Sequence, residues 1–515
     1  MNVQNYEWWR GASFYEVYLR SFKDSNNDGE GDLPGLSSCL SYVSDLGVDG
    51  IWITPFYPSP MCDSGYDVAD YCAVDPRFGT LKDFEAMIER AHSLGLKIII
   101  DQVYSHTSHL HPWFLESSSA KDNEKSDWYV WADAKPDGSP PNNWLARFGG
   151  CAWEWSSSRK QYYLHNFLTE QPDLNLHNPE VQEEILKIMK FWFDMGVDGL
   201  RLDVANFYTQ DPLLRDNPAA ESITIPANPY YMQQRLYDRS RPETLPFLRR
   251  MRQAAEDRML LAEISCDWQL ERMAEYTSPG LLHTAYSFEL LCDNLDGSHI
   301  ARAVEQAGRD QSWPTWAFSN HDSVRVATRW GDGLVKTLQA LLASLRGSII
   351  LLQGEELGLT HSDVPRDCLQ DPEAIRFWPN HRGRDGARTP MAWEDTESLG
   401  FSNVATWLPA DSKHRPLAVS RQSGVPDSNL THCKEMLSIR KSSCTLRYGT
   451  FETIEADKLG LSFWRRHEGK EIMCTFNFGD RPRAVPILPS GKTLGGLQRD
   501  GMIEARSYWI VEASP

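Results

Sequence analysis

The sequence is poor in the features that mark metal-thiolate and nucleic-acid-binding proteins. Its ten cysteines are scattered and include no C-x-x-C pair, so neither a zinc site nor a disulfide framework is indicated. No run rich in Lys or Arg occurs, and 71 acidic residues against 52 basic ones give a net charge of −19. A field of that sign opposes binding to a phosphate backbone, so nucleic acid is not an expected partner.

Membrane and export signals are missing as well. No stretch is apolar over the length of a bilayer span, and the first residues lack the basic and apolar regions of a secretory signal. We therefore expect a cytoplasmic location and no membrane partner. The chain's 515 residues, 41% of them hydrophobic, suffice for a large core and two or three domains. Its 19 tryptophans suit stacking on sugar rings or simple core packing.

A joint between a helix and a strand recurs along the chain. The segments 46–50, 94–97 and 195–199 each carry a glycine where a helical pattern ends, as a left-handed helix cap requires, and an apolar run follows. Runs of this kind give candidate strands at residues 14–19, 50–54, 97–103, 199–204, 259–264, 284–288, 315–319 and 348–353.

These strands alternate with helical patterns, and such alternation predicts an α/β fold of the (β/α)₈ TIM-barrel type. A doubly wound sheet also alternates strand and helix, but polar residues at the end of nearly every candidate strand favour the barrel. We assign residues 1–104 and 179–444 to the barrel. Residues 105–178 are too many for a bare loop and predict an inserted subdomain after strand 3, and the short strands of 445–515 predict a C-terminal all-β domain, a β-sandwich.

Two acids end apolar runs that are predicted to be buried strands. Asp203 closes one run and Glu263 another, and Asp322 follows a third in Asn320-His321-Asp322. Burying a carboxylate is costly unless it is paired or used in chemistry. Strands of one barrel that deliver acids to one rim are typical of enzymes that split glycosidic bonds.

Four ordered motifs resemble those of the α-amylase family of glycoside hydrolases, in its oligo-1,6-glucosidase and α-glucosidase branch. They are Asp101-Gln102-Val103-Tyr104-Ser105-His106, Gly199-Leu200-Arg201-Leu202-Asp203, Ala262-Glu263 and Phe318-Ser319-Asn320-His321-Asp322. The resemblance implies that Asp203 is the nucleophile and Glu263 the acid/base, and that Asp322, assisted by His321, binds the 2- and 3-hydroxyls of glucose. Arg201 shares a strand face with Asp203 and would keep it ionised.

The resemblance also implies a set of residues around one terminal glucose. His106 would bind the 6-hydroxyl, Asp63 and Arg388 would clamp the 4-hydroxyl, and Tyr66 would stack beneath the ring. Phe148 and Phe167 would wall the pocket, with core packing as the alternative for each. Val204, directly after the nucleophile, would border the leaving group. A pocket closed in this way removes one glucose at a time.

The loop 24–32 places oxygen-bearing side chains at the spacing of a calcium loop. The candidate ligands are Asp24, Asn26, Asp28, Glu30 and Asp32, with Gly29 at the sixth position, but Gly35 stands at the twelfth position where an EF-hand has Glu. We expect a structural Ca²⁺ or Mg²⁺ there. The alternative is an acidic loop of Asx turns without metal.

These features together predict a retaining exo-α-glucosidase that acts on small α-glucosides without an organic cofactor. A transglucosylase and a sucrose-active relative remain open as alternatives. A more remote one is a non-catalytic relative that uses the fold for interaction, as the amylase-like ectodomains of transporter heavy chains do. The sequence leaves the oligomeric state open.

Overall fold

The computed structural model describes residues 7–221, 225–309 and 312–514, and its centre is an eight-stranded parallel sheet. The barrel strands, numbered 1 to 8 in chain order, are Ser13–Val17, Gly50–Ile53, Lys97–Gln102, Gly199–Leu202, Met259–Ile264, Thr284–Ser287, Thr315–Ala317 and Ser348–Leu352. Strand 1 pairs with strands 2 and 8, and a parallel bridge from Ala285 to Pro314 links strand 6 to strand 7. The sheet therefore curls into the predicted barrel.

One helix follows each barrel strand and covers the outside of the sheet. These helices are Leu33–Leu46, Leu81–Ser93, Pro179–Asp194, Thr244–Ala255, Gln269–Tyr276, Gly297–Ala307, Val335–Ser344 and Asn429–Ser442. Shorter helices lie in the connections, at Pro112–Ser119, Val326–Arg329, Pro372–Phe377, Val419–Gln422 and Cys444–Tyr448. Local sequence sets several starts; the side chain of Thr80, for example, accepts a hydrogen bond from the Asp83 N–H in a capping box.

The recurring glycine joints have the predicted conformation. Gly47, Gly95 and Gly196 have φ values of +93°, +77° and +94°, a left-handed region that L side chains rarely adopt. The predicted strands 14–19, 199–204 and 315–319 are each too long by two residues at the far end. In the second case the chain turns out of the sheet at Asp203, so the acid lies on the rim and not within the strand.

Two smaller sheets accompany the barrel. Between barrel strands 3 and 4, the strands Trp131–Ala132, Trp153–Ser156 and Gln161–Leu164 form an antiparallel sheet. After the last barrel helix, the strands Glu452–Asp457, Gly460–His467, Lys470–Asn477, Gly491–Gly496 and Ser507–Ala513 form an antiparallel five-stranded sheet. Arg483–Ala484 pairs with Met502–Ile503 beside it. The C-terminal β domain is thus confirmed, whereas the residue limits of the three parts stay a prediction.

Apolar side chains fill the barrel and also join it to the C-terminal sheet. Phe14, Trp52, Ile99 and Leu261 belong to the cluster inside the barrel. A larger cluster lies between strands and helices and continues without a break to Phe476 in the C-terminal sheet. Among the described residues, none of the helices combines the length and the apolar character needed to cross a bilayer.

Candidate active site

Strand register brings the two acids together. Asp101 pairs with Arg201 between strands 3 and 4, and Leu202 pairs with Ala262 between strands 4 and 5. Continued by one residue, the second register sets Asp203 beside Glu263. Residues that are sixty positions apart in the sequence therefore meet at the carboxyl-terminal rim of the barrel, where barrel enzymes carry their active sites.

Arg201 is fully buried and is the centre of an ion cluster. Its Nη1 donates to Asp101 Oδ1 at 2.7 Å and to Asp203 Oδ1 at 2.6 Å, and its Nη2 donates to Glu263 Oε2 at 2.5 Å and to the Tyr286 hydroxyl at 2.9 Å. Burial raises the pKa of Asp203 well above its usual range and also raises that of Glu263, and Arg201 opposes both rises. The expectation that Arg201 keeps Asp203 ionised therefore stays a prediction. Because one guanidinium faces three carboxyl groups, mutual repulsion favours retention of one proton in the cluster.

The two carboxyl oxygens of Glu263 have different surroundings. Oε2 accepts from Arg201 and also from the backbone N–H of Val204, at 3.1 Å. Within the part of the chain that the structure describes, no group donates to Oε1, and Glu263 lines the main cavity. Oε1 is therefore the oxygen that can exchange a proton with a bound molecule.

Val204 has a backbone conformation that is rare for its residue type. Its φ of +34° and ψ of +51° are left-handed, which for a β-branched residue costs about 1–3 kcal/mol. This turn aims the Val204 N–H at Glu263 while its side chain lines the cavity. The sequence carried no sign of this strain, because valine after a strand normally continues it.

Asp322 has the opposite electrostatic setting to Glu263. Burial alone would raise the pKa of Asp322, but His321, Arg384 and Arg388 hold it well below its usual range. Arg388 Nη2 donates to Asp322 Oδ1 at 2.6 Å, and Arg384 Nη1 lies 3.4 Å from the same oxygen. Asp322 is therefore an ionised hydrogen-bond acceptor on the wall of the cavity.

His321 and Tyr66 form a stacked pair under this wall. Their rings are 5.4 Å apart and nearly parallel, and the Tyr66 hydroxyl lies 2.7 Å from His321 Nε2 and donates to Asp101. His321 Nδ1 lies 2.5 Å from Glu16 Oε1, and burial lowers the pKa of this histidine to about 3. The pair connects the rim to the ion cluster around Arg201.

Asp63 pairs with Arg384, whereas we expected it to act with Arg388. Arg384 Nη2 donates to Asp63 Oδ1 and to Asp371 Oδ1, both at 2.7 Å, while Arg388 is engaged with Asp322. The two arginines lie four residues apart, on either side of a single turn of 3₁₀ helix. Which of them reaches Asp63 depends on how that loop folds, and the sequence pattern does not report this.

The remaining predicted pocket residues lie next to Asp63. Gln171 Nε2 donates to Asp63 Oδ2 at 3.1 Å and lies 3.0 Å from His106 Nε2. Burial lowers the pKa of His106 to about 4, and Ser105 Oγ, 2.8 Å from its Nδ1, orients the ring. Phe148 and Phe167, with ring centres 5.9 Å apart, both line the cavity.

The main cavity has a volume of about 670 Å³, and Glu263, Asp322 and Arg384 lie on its wall. Asp203, Asp63 and His106 lie near these groups but are not among the residues that line it. Its deep end carries Asp322 and Arg384, and its mouth carries the half-exposed Tyr231 and Trp268. Sequence reasoning missed five residues that organise it: Glu16, Asp101, Gln171, Tyr286 and Arg384. Asp101 had a usable signal, since it is an acid at the end of a buried strand, as Asp203 is.

We expect Arg384→Ala to lower kcat/KM about 10²–10³-fold, because removing one partner of a buried ion pair costs about 3–5 kcal/mol. Asp63 and Asp371 would lose their common cation. Steady-state kinetics on a disaccharide, with the inhibition constant of glucose, would measure the loss. Arg382→Ala is the matched control, since Arg382 is exposed and pairs with the exposed Asp363. Equal losses in both variants would contradict this role of Arg384.

The loop 24–32 uses its acids as hydrogen-bond acceptors. Asp24 accepts from the backbone of Asn26, Asn27 and Gly29, and Asp32 accepts from Ser25 and Gly35. A side chain at Gly35 would meet the Lys23 carbonyl oxygen at 2.0 Å, so the twelfth ligand of an EF-hand has no room. In the described part of the chain, no three His, Cys, Asp or Glu side chains are grouped closely enough to hold a metal.

The loop chemistry nevertheless suits a hard cation. The candidate ligands of the loop all offer side-chain oxygen atoms to a metal ion, and Glu30 Oε2 is buried without a hydrogen-bond partner in the described residues. A bound ion would replace the hydrogen bonds that now end on Asp24 and Asp28. The cation stays a prediction.

Comparison with known proteins agrees with this geometry. Residues 16–449 match the family model described as the alpha amylase catalytic domain. A "probable alpha-glucosidase" of Rhizobium meliloti (strain 1021) is 49% identical, over 96% of this chain and 94% of that protein. An oligo-1,6-glucosidase of Heyndrickxia coagulans is 34% identical over 92% of each chain. The solved structure of an alpha-glucosyl transfer enzyme is 46% identical, covers 99% of this chain and 100% of that one, and has a TM-score of 0.96.

Proposed function

The chain belongs to the α-amylase family of glycoside hydrolases, and we propose that it is a retaining exo-α-glucosidase that releases α-glucose from the non-reducing end of small α-glucosides. The observation that carries this proposal is the pairing of Asp203 and Glu263 on Arg201, with Glu263 on the wall of a cavity whose deep end carries Arg384, the partner of Asp63. A closed end admits one terminal glucose and no further sugar unit beyond it.

The proposed reaction has two steps. The Asp203 carboxylate attacks the anomeric carbon while Glu263 gives its proton to the departing oxygen, which forms a β-glucosyl ester and frees the aglycone. Glu263, now ionised, takes a proton from water as the water attacks the same carbon, which releases α-glucose and restores both groups. The ionised Asp322 would bind ring hydroxyls and favour the positively charged transition state.

A hydrolysis panel of maltose, isomaltose, sucrose, trehalose, maltotriose and an aryl α-glucoside would test the proposal. We expect turnover of at least one disaccharide, with glucose released as the α-anomer, and slow attack on soluble starch. Rapid internal cutting of starch would contradict a closed pocket, and release of β-glucose would contradict retention.

Transfer of the glucosyl group is the second candidate, favoured by the likeness to a solved alpha-glucosyl transfer enzyme. The same β-glucosyl ester would be resolved by an alcohol or a sugar in place of water. Product analysis at high acceptor concentration separates the two. Isomerisation of sucrose has less support, because no described residue can be assigned to hold fructose in place.

The linkage preference should depend on Val204, which borders the cavity beside Glu263. In the resembling branch, valine here accompanies α-1,6 cleavage, so we expect activity on isomaltose beside maltose or sucrose. Val204→Thr should shift the ratio of kcat/KM toward α-1,4 bonds by an amount worth about 1–3 kcal/mol. Threonine is also β-branched, so the backbone strain is unchanged. Wild-type protein inert on isomaltose would show that other loops determine the linkage.

We also propose that the loop 24–32 binds Ca²⁺ or Mg²⁺ in a structural role. At a hundredfold excess over its dissociation constant, the ion should raise Tm by roughly 2–3 °C, because it binds only the native state. Calorimetry with Ca²⁺, Mg²⁺ or chelator would measure the shift. The control is Asp28→Ala, which removes an exposed candidate ligand, so its Tm should not respond to the ions. Equal Tm values with and without the ions would leave the loop as a metal-free turn.

A further inference from the structure

Glu373 is a buried carboxylate that the proposed chemistry does not use. It is 1% exposed, and its Oε1 accepts from Arg147 Nη1 at 2.5 Å and from Asn228 Nδ2 at 3.0 Å. Arg147 lies in the insert after strand 3, Asn228 in the connection after strand 4, and Glu373 in the connection after strand 8. One buried oxygen therefore ties three separate loops of the rim together.

The connection after strand 4 carries the wall of the cavity mouth. Asn228 also donates to the Arg147 carbonyl at 2.8 Å and accepts from the Tyr230 N–H, which begins the short 3₁₀ helix Pro229–Met232. The Arg147 guanidinium lies 5.7 Å from the Tyr230 ring and 5.4 Å from the Tyr231 ring. Both tyrosines line the cavity, and the link through Arg147 and Asn228 contacts both of them, although Arg235 and Arg239 also hold Tyr230.

The neighbouring acid Asp371 serves the other end of the same cavity. It caps the helix Pro372–Phe377 and binds Arg384, which lies at the deep end and in turn holds Asp63. Two carboxylates separated by one residue thus connect to opposite ends of the cavity. Binding of a glucose at the deep end would depend on Asp371. The leaving group departs through the mouth and would contact Tyr230 and Tyr231, which are linked to Glu373.

We propose that Glu373 is a positioning residue for the leaving-group subsite, where it fixes Tyr230 and Tyr231 against the departing sugar and, later, against the incoming acceptor. This inference rests on the proposed α-glucosidase function. Loss of its charge would leave Arg147 without its carboxylate and loosen the wall. The glucose subsite would keep its contacts, because they run through Asp371 and Arg384.

The test compares two substrates that share the glucose but differ in the leaving group. In a disaccharide that the wild type turns over, the leaving sugar occupies the mouth of the cavity. In α-glucosyl fluoride the leaving group is a fluoride ion, so the mouth stays empty. We expect Glu373→Gln to lower kcat/KM for the disaccharide about tenfold and for the fluoride less than twofold, with an unchanged inhibition constant for glucose. Asp371→Asn, the matched control, should lower both values together and weaken glucose inhibition.

A second readout follows one covalent intermediate. With a 4-nitrophenyl α-glucoside as donor, nitrophenol minus glucose measures transfer, and cellobiose and methanol serve as a large and a small acceptor. Glu373→Gln should reduce capture by cellobiose relative to methanol. Asn228→Ala removes the hydrogen bond between the connection after strand 4 and Glu373 but keeps the Arg147–Glu373 ion pair. It should also reduce capture by cellobiose relative to methanol, and it tests the proposal if Glu373→Gln does not fold.

Equal losses on disaccharide and fluoride in these variants would overturn the positioning role and leave Glu373 as a structural ion pair. A wild-type protein that turns over no α-glucoside would instead refute the proposed function itself. The two failures are therefore distinct.

Discussion

Replacing Asp203 with Asn should lower kcat for every α-glucoside about 10⁴-fold or more, because a carboxamide cannot form the covalent ester. Asn keeps the volume of Asp and can still accept the hydrogen bond from Arg201 Nη1, so the ion cluster should survive. Initial rates on a disaccharide would give the loss, and the melting temperature would show whether the fold is intact.

Asp198→Asn is the matched control, since Asp198 precedes the same strand at the opposite end of the barrel and pairs with His92 and Lys97. It should lower stability and nearly spare kcat. The smaller variant Asp203→Gly, supplied with azide, should regain turnover and yield β-glucosyl azide, because the anion attacks from the face that the carboxylate vacated. An α-azide product, or full activity of Asp203→Asn, would exclude Asp203 as the nucleophile.

Glu263→Gln should lower kcat/KM for disaccharides about 10²–10⁴-fold and have far less effect on aryl glucosides whose leaving groups need no proton. Glu263 lines the cavity, and an amide there has no acidic proton to give. Rates across aryl glucosides of graded leaving-group acidity would show a steeper dependence in the variant. Similar losses on all substrates would argue against Glu263 as the acid.

The pH profile supplies an independent check on Glu263. Burial raises the pKa of this carboxyl, with Asp322 and Asp101 adding to the rise and Arg201 opposing it. The acid must be protonated to act, so wild-type kcat/KM on a disaccharide should fall as the pH rises through that raised pKa. Glu263→Gln should lose this alkaline limb and keep its residual rate.

The fold could be predicted almost completely from local sequence. Helix ends with a glycine cap and apolar runs are short-range signals, and all eight candidate strands and the capping glycines Gly47, Gly95 and Gly196 are present. Asp203, Glu263 and Asp322 could be chosen as candidates for the same reason, since an acid at the end of a buried run is costly and must have a use. Strand order then determines that the first two are neighbours.

Only the tertiary structure decided which arginine pairs with which carboxylate and where the backbone is strained. The sequence resemblance singles out Arg388, but the folded loop assigns Arg384 to Asp63 and Arg388 to Asp322. The left-handed turn at Val204 depends on contacts across the rim, as does the link from Glu373 to Arg147 and Asn228. Local sequence determines periodicity and caps because those interactions span a few residues, whereas contacts between distant loops depend on three-dimensional distances that no short pattern records.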